Sequence, residues 1–313
     1  MSLVTGDDWN PGTYERFRGL RLRPALDLLA QVPDLPPGDV VDLGCGAGAV
    51  GAALRARFAQ RRLLGVDASP AMLERAQALG TFDALAKGDI ATWVPASPTA
   101  LIFSNAALHW LGDHQRLLPR LANVLAPGGV LAVQMPRNFD AASHRLLHET
   151  FTRCFPGRIE ARPAPVKLAR DYVSLLRPHG QVEGWETEYV HHLVAVPIGH
   201  PVRAFTESTA MRPFLAQLSD AEATQFTEAY DTALTKAYSP EADGSVLFPV
   251  PAGVSGPAAA LKLPRTRGLA SFGTDRSQTD FTPGARHPMQ GRTTKHRHEG
   301  AGDGLQIRYR DCA

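Results

Sequence analysis

Val40-Val41-Asp42-Leu43-Gly44-Cys45-Gly46-Ala47-Gly48 decides the fold of this chain. A short β-branched run ends in an acid, a glycine-rich turn follows, and a helical pattern from Ala49 to Phe58 takes over. Glycine at 44, 46 and 48 removes side chains where the backbone must turn sharply and lets a ligand close against bare peptide. The turn opens a helix, so unpaired N–H groups and the positive end of the dipole are expected at the same pocket. Nineteen residues beyond Gly48 stands Asp67, behind the apolar run Leu63-Leu64-Gly65-Val66, placed to accept both hydroxyls of a ribose. Strand, turn, helix, strand and acid in register imply a nucleotide-type site at the carboxyl edge of a parallel sheet.

A pyrophosphate binder more often reads G-x-G-x-x-G with no acid on the strand before it. Asp42 would repel a phosphate but welcome an ammonium. A ligand with an amino-acid end and an adenosine end suits both acids, and S-adenosylmethionine is that ligand. The D-L-G-C-G-x-G string resembles the first motif of the class I methyltransferases. The resemblance implies a cofactor-facing set of Asp42, Gly44, Cys45, Gly46, Gly48, Asp67, Ala68, Met72 and Asn105. Asp89 and Ile90 join it at the adenine, the acid for the exocyclic amine and the apolar side chain against the ring. Asp89 could instead only solvate a turn, where aspartate is common.

At 313 residues the chain has room for one large domain or one domain with an appendage. A formal charge of +2 gives no electrostatic case for nucleic acid or an acidic membrane face. Cys45, Cys154 and Cys312 are too few and too scattered for a disulfide framework or a zinc site, and no metal is expected. No stretch approaches the apolar length of a membrane helix and the amino terminus carries no secretory leader, so a cytoplasmic location is expected.

Outward from the glycine turn, strand and helix patterns alternate. Ser69-Pro70 caps a helix running from Met72 to Leu79, and Phe82 to Ala86 reads as a third strand. Ala100-Leu101-Ile102-Phe103 is a continuous apolar strand that delivers Asn105, His109 and Trp110 to the carboxyl edge. Leu117 to Leu125 is helical, and Val130 to Met135 is a fifth strand. The fold class is α/β, a doubly wound, mostly parallel Rossmann-like sheet. Ahead of it, Trp9, Tyr14 and Phe17 lead into a helix ending near Ala30 and serve as a lid, as packing anchors, or as both.

Beyond Pro136, helical patterns at Ser143–Phe155, Leu168–Leu176, Pro201–Met211 and Asp220–Tyr238 read as a helical cap over the sheet's carboxyl edge, spanning about 136–240. Alternation from Val182 to Val196 suggests a long strand within it. The domain runs over 1–248. Residues 249–313 form a Pro/Gly/basic tail, including Lys295-His296-Arg297-His298, with too little apolar surface to offset chain entropy, and disorder is expected there. Without interleaved aromatics the basic cluster is not read as a nucleic-acid arm.

From Trp9 to about Phe248 the chain resembles the trans-aconitate methyltransferases, class I enzymes that esterify one carboxylate of a small tricarboxylic acid. The resemblance is carried by Trp9-Asn10-Pro11, Val41-Asp42-Leu43-Gly44-Cys45-Gly46, Asp67-Ala68-Ser69-Pro70-Ala71-Met72 and Ser104-Asn105-Ala106-Ala107-Leu108-His109-Trp110. Gln134-Met135-Pro136 with Asn138, and Met211-Arg212-Pro213-Phe214-Leu215, extend it to where substrate should bind. It implies a small carboxylic acid as substrate, with no nucleic-acid or membrane partner. Two departures stand out. The family usually has glutamine where His109 stands, and it ends with an apolar strand soon after the position of Phe248. Here Val250-Pro251-Ala252-Gly253-Val254-Ser255-Gly256 is a poor strand, so the last sheet strand is expected to be lost. Read one base later, these codons permit Phe-Arg-Arg-Val-Phe-Leu, much like the missing strand. The hypothesis is a frameshift, and sequencing the gene around codon 249 tests it. If no one-base shift restores an apolar strand, it is wrong.

Methyl transfer from a sulfonium to a carboxylate is an in-line displacement. The carboxylate is already ionised at neutral pH, with a pKa near the roughly 4 of ordinary carboxyls, so no general base and no catalytic dyad is expected. The site must supply position, holding oxygen and methyl carbon about 3 Å apart. A tricarboxylate also needs cations. Arg137 and Arg212 are the candidate bidentate clamps, unless they are solvated or cap helices. His109 and Trp110 line the transfer mouth, with Trp9 and Tyr14 closing it. The alternatives are another small acid or acyl substrate, or a cofactor-binding but inactive frameshifted product.

Overall fold

The computed structural model describes residues 18–158, 166–207 and 209–250, and the backbone of 258–264. Contacts divide the chain into Met1–Gly268 and Leu269–Ala313, and every described residue lies in the first unit.

A seven-stranded sheet carries strands β1 (Asp39–Leu43), β2 (Leu63–Asp67), β3 (Ala84–Lys87), β4 (Thr99–Asn105), β5 (Leu125–Met135), β6 (Glu183–Thr187) and β9 (Ala258–Pro264). Their order is β3-β2-β1-β4-β5-β9-β6. The first five pair in parallel, whereas β9 runs antiparallel to both its neighbours. The helices are α1 (Arg18–Ala30), α2 (Gly51–Arg57), α3 (Pro70–Ala78), α4 (His114–Asn123), α5 (Ala142–Cys154), α6 (Ala169–Leu176), α7 (Pro201–Glu207), α8 (Arg212–Leu215) and α9 (Asp220–Ala237).

Strands buried on both faces read as unbroken apolar runs. Adjacent residues then serve opposite layers. Val41, Ile102 and Leu131 pack against Leu117, Leu118 and Leu121 of α4 and against Tyr172 and Leu176 of α6. Their neighbours Val40, Leu101 and Val130 face Ala25 and Leu28 of α1 and Leu54 of α2. Helices therefore cover both sides of the sheet, and the doubly wound, mostly parallel reading stands.

A second core sits apart from the sheet. β7 (Tyr189–Leu193) pairs antiparallel with β8 (Val246–Val250), and this ribbon packs with α5, α7, α8 and α9. Phe151 anchors it, with ring centroids 5.0 Å from Phe214 and 5.5 Å from Phe226. Ser219 and Glu222 form a capping box that starts α9. The cap is thus mixed rather than purely helical.

Two expectations about the chain's second half are corrected. The long strand across Val182–Val196 is two strands, with β6 in the main sheet and β7 in the ribbon. Glu188 between them is where the chain leaves one sheet for the other. The sheet's last strand is present: Ala258–Pro264 fills the slot between β5 and β6, pairing Gln134 with Ala260 on one side and Trp185 with Ala260 on the other. Glycine is absent from this run and proline stands only at its end, so the ladder is not interrupted. Strand β8 continues through Val250, and β9 follows it. Residues 251–257, which bear the frameshift hypothesis, and 265–313 lie outside the described residues. Among the described residues no helix is long and apolar enough to cross a membrane, and no cluster of His, Cys, Asp or Glu could hold a metal.

Candidate functional site

Three parallel strands end at one edge, β1 with Asp42-Leu43, β2 with Asp67 and β4 with Ser104-Asn105. The Ser104 hydroxyl donates to the Leu43 carbonyl at 2.7 Å and ties two of these ends together. Gly44, Gly46 and Gly48 all have positive φ, at 82°, 52° and 79°. A Cβ on Gly46 would meet nothing within 4 Å, which is the open backbone a ligand can close upon.

Four amides of this turn are engaged within the protein rather than turned to a ligand. Gly44 and Cys45 both donate to the Val66 carbonyl, at 2.8 and 3.0 Å, and Gly48 donates to Cys45. Gly46 donates to Asp67 Oδ2 at 2.8 Å, and Ser69 donates to Asp67 Oδ1 at 2.9 Å. Helix α2 starts only at Gly51, after Val50, so its end lies beyond the turn rather than in it. The consequence is a shaped turn whose Gly46 amide, with the Ser69 amide that follows β2, holds the Asp67 carboxylate in one orientation.

Asp42 is 2% exposed, and its Oδ2 is buried with no hydrogen-bond partner. Burial, and then the charge of Asp67, push its carboxyl up from 3.8 to about 7. An orphaned acid of this kind lacks a cation. Cys45 is buried, its thiol 3.7 Å from the Gly46 carbonyl, and burial with the two acids raises its pKa far above the usual thiol range. It is an inert packing thiol.

Gly44 admits no side chain. A Cβ there would stand 2.3 Å from the Ala107 Cβ and 3.2 Å from Ile90 Cδ1. Gly44→Ala therefore combines left-handed strain with a clash, and a loss of about 2–5 kcal/mol is expected. Chemical denaturation measures it, and an unchanged midpoint would show that the turn relaxes freely.

The same contact brings the Ile90 side chain against Gly44. Met72 is buried, with its amide 3.4 Å from Ser69 Oγ in the N-cap of α3. Ala68 is exposed at the rim. Asp89 is also exposed, and its Oδ1 accepts from the Ala91 amide at 2.8 Å, an Asx turn that fixes the loop in front of Ile90.

Beyond β4 the chain turns through Ala106, a non-glycine residue at φ 49° whose amide donates to Gln134. Such strain persists only where surroundings enforce it. It aims Asn105, whose Oδ1 is buried without a hydrogen-bond partner, and starts the one-turn helix Leu108–Trp110. His109 is 9% exposed, its Nδ1 also buried and unpartnered. Trp110 is 36% exposed, and its ring stacks obliquely 4.7 Å from His109.

Arg137 and Asn138 follow the end of β5, and Arg137 is 7% exposed. Its charge reaches Tyr172 on α6. Arg212 begins α8, half-buried, next to Phe214 in the cap core. Trp9 and Tyr14 lie outside the described residues.

Sequence reasoning missed three side chains here. His114 Nε2 lies 2.9 Å from the Leu108 carbonyl, which only accepts, so that nitrogen carries a proton. Its Nδ1 faces the Tyr172 hydroxyl at 2.7 Å, 58 residues away in sequence. This pair holds the turn that carries His109. The third is His144, in the first turn of α5, whose Nδ1 is 3.2 Å from Ser143 Oγ. No local signal marks any of them.

A methyltransferase-domain family model matches residues 14–183. Among curated proteins, the trans-aconitate 2-methyltransferase of Azoarcus sp. is 42% identical over 251 residues, covering 78% of this chain and 96% of that protein. That of Methylobacterium nodulans is 43% identical, with 78% and 95% covered. That of Yersinia pseudotuberculosis is 39% identical, again with 78% and 95% covered. Among solved structures, the methyltransferase in complex with the Haloferax volcanii Trm112 activator is 17% identical, covering 84% of this chain and 99% of that one at a TM-score of 0.48. By its matched domain and by these relatives, the chain belongs to the trans-aconitate 2-methyltransferase family.

Proposed function

We propose that this protein methylates one carboxylate of trans-aconitate with S-adenosylmethionine, giving the monomethyl ester. The observation that carries the reading is the division of charge along one sheet edge. Two acids, Asp42 and Asp67, flank the bare turn at the ends of β1 and β2, while the cation Arg137 stands beyond the end of β5 and the neutral imidazole of His109 beyond that of β4. An ammonium-bearing donor suits the first side and a polycarboxylate the second.

The cofactor supplies a methyl group on a positively charged sulfur. Asp42 holds the ammonium end, and Asp67, oriented by the Gly46 and Ser69 amides, accepts the ribose hydroxyls. Ile90 packs on the adenine and Met72 backs it, with Asn105 at the boundary between the two halves. Arg137 and Arg212 neutralise the carboxylates that do not react. Trp110 and His109 wall the mouth. The reaction needs no proton moved, so positioning accounts for the catalysis.

A melt with and without S-adenosylmethionine tests the first half, since a ligand that binds only the native state must raise the midpoint. Asp67→Ala should remove most of that rise while leaving the unliganded midpoint within a few degrees. An undiminished rise removes the ribose assignment. Product analysis with trans-aconitate, itaconate and a fatty acid tests the second half. Ester formed from one of the other acids alone reassigns the substrate, and a raised midpoint with no product from any acid marks the inactive frameshifted form.

A further inference from the structure

Between β3 and β4 the chain makes a turn, Gly88 to Trp93, that carries Asp89 and Ile90. Gly88 donates to the Asp67 carbonyl at 3.0 Å, which ties the start of the turn to the end of β2. Thr92 and Trp93 donate to the Asp89 carbonyl at 3.0 and 2.8 Å, and Ala91 donates to Asp89 Oδ1 at 2.8 Å. Two carbonyls of the turn are held from elsewhere. Arg120, 27 residues after Trp93 and 30 after Ile90, donates from one terminal nitrogen to the Trp93 carbonyl and from the other to the Ile90 carbonyl, each at 2.5 Å. Arg120 stands half-buried on α4, whose Leu117, Leu118 and Leu121 are sunk in the core on one face of the sheet. Ile90 and Trp93 pack against that same core.

We propose that Arg120 is a positioning residue for the base of the cofactor. By gripping the Ile90 and Trp93 carbonyls together, it presets the turn so that Ile90 meets the adenine face and Asp89 its exocyclic amine. The inference rests on the proposed binding of S-adenosylmethionine at this edge and adds to it a residue that never touches the ligand.

The bonds to Asp89 fix the interior of the turn, but they leave it able to swing as a unit about its connections to β3 and β4. A planar guanidinium removes that freedom, because both carbonyls must lie in its fork at once. The leucines bury α4 without help from Arg120, so the hold on the turn is what this side chain adds. Its effect reaches the glycine turn through Ile90, whose Cδ1 would stand 3.2 Å from a Cβ on Gly44. Ordering a loop before the ligand arrives raises affinity without any new contact to the ligand. The other grips are built separately: Asp67 is oriented by the Gly46 and Ser69 amides, and Asp42 stands on β1. Loss of Arg120 should therefore strike the base and spare the ribose and the amino-acid end.

Calorimetric titration of two ligands into wild type and Arg120→Met tests this. One is S-adenosylhomocysteine; the other is S-ribosylhomocysteine, which keeps the sugar and the amino-acid end but has no base. The expected result is a Kd for S-adenosylhomocysteine raised about tenfold or more, with that of the base-free ligand unchanged and the melting point within a few degrees. An equal rise for both ligands would mark Arg120 as a structural residue. No rise for either would show that the turn holds its shape unaided, and each of these outcomes overturns the proposal. If Arg120→Met does not fold, Arg120→Lys takes its place, keeping the charge and the stem but not the fork, with a smaller loss confined to the same ligand. A double-mutant cycle with Ile90→Ala reads the same point from S-adenosylhomocysteine alone, and decides it where the base-free ligand binds too weakly to titrate. A residue acting through the turn gives a combined loss short of the sum, whereas additive losses overturn the proposal. If the wild type binds neither ligand, the cofactor reading of this edge falls as well; if it binds and Arg120 proves silent, only the positioning role falls.

Discussion

Asp42→Asn will weaken S-adenosylmethionine binding by about a hundredfold and, above pH 7, will stabilise the unliganded protein. The two effects share one cause. A carboxyl that is 2% exposed, with an orphaned Oδ2 and Asp67 as its charged neighbour, is costly to ionise. Its pKa rises from 3.8 in the unfolded chain to about 7 in the native state. Between those values the native state binds more protons than the unfolded one. The corresponding stability is therefore complete below pH 4 and is lost as pH rises towards 7. A tenfold change in proton affinity corresponds to about 1.4 kcal/mol, so the full loss is on the order of 4 kcal/mol. Asparagine keeps the shape and escapes the loss.

An ammonium beside Asp42 repays the ionised form, which asparagine cannot offer, and truncating a buried charge pair costs about 2–5 kcal/mol. In the wild type, cofactor affinity should also fall about tenfold for each pH unit below 7, as the carboxyl protonates. Calorimetry across pH measures the affinity, and melts at pH 4 and pH 8 measure the stability gap between wild type and variant. Equal affinities and a gap that does not change with pH would place the ammonium elsewhere.

The turn that follows Asp42 is legible in the sequence because it is built locally. Strand, acid, glycine turn and second acid lie within thirty residues, and each is dictated by backbone geometry at that point. The apolar runs that became β1, β4 and β5 were equally plain, since strands covered on both faces need nothing but apolar residues. What escaped notice depends on distant pairing. β9 is largely alanine, leucine and lysine, with no period and little strand propensity, and it is a strand because β5 and β6 leave a slot of its length. The turn at 44–48 looked like a helix start, but Val66 and Asp67 on the neighbouring strand take its amides and delay the helix to Gly51. His114 anchors the His109 turn only because Tyr172 comes back to it from α6. The side chains proposed to meet the substrate are spread over the ends of β4 and β5 and over α8, so no single stretch of sequence announces them.

That dispersal shapes the second large effect, on the arginines. Arg212→Ala is expected to lower kcat/KM for trans-aconitate by roughly a hundredfold, with cofactor affinity unchanged, because losing one partner of a desolvated charge pair costs about 2–5 kcal/mol. Arg137 is the more buried, at 7% exposed, and its truncation risks the fold, so lysine is the informative replacement. Arg137→Lys keeps the charge but not the planar fork, and a loss of about tenfold or more in kcat/KM at an unchanged melting point would identify a bidentate grip. An equal fall in cofactor affinity in either variant would instead mark a structural arginine. Combining the two substitutions separates the remaining arrangements. Arginines on different carboxylates of one tricarboxylate, carried by the β5 edge and by α8, should give losses that add, since neither variant changes the other's contact. Arginines converging on one carboxylate should give a combined loss well short of the sum, because the first substitution already releases the group that the second would hold.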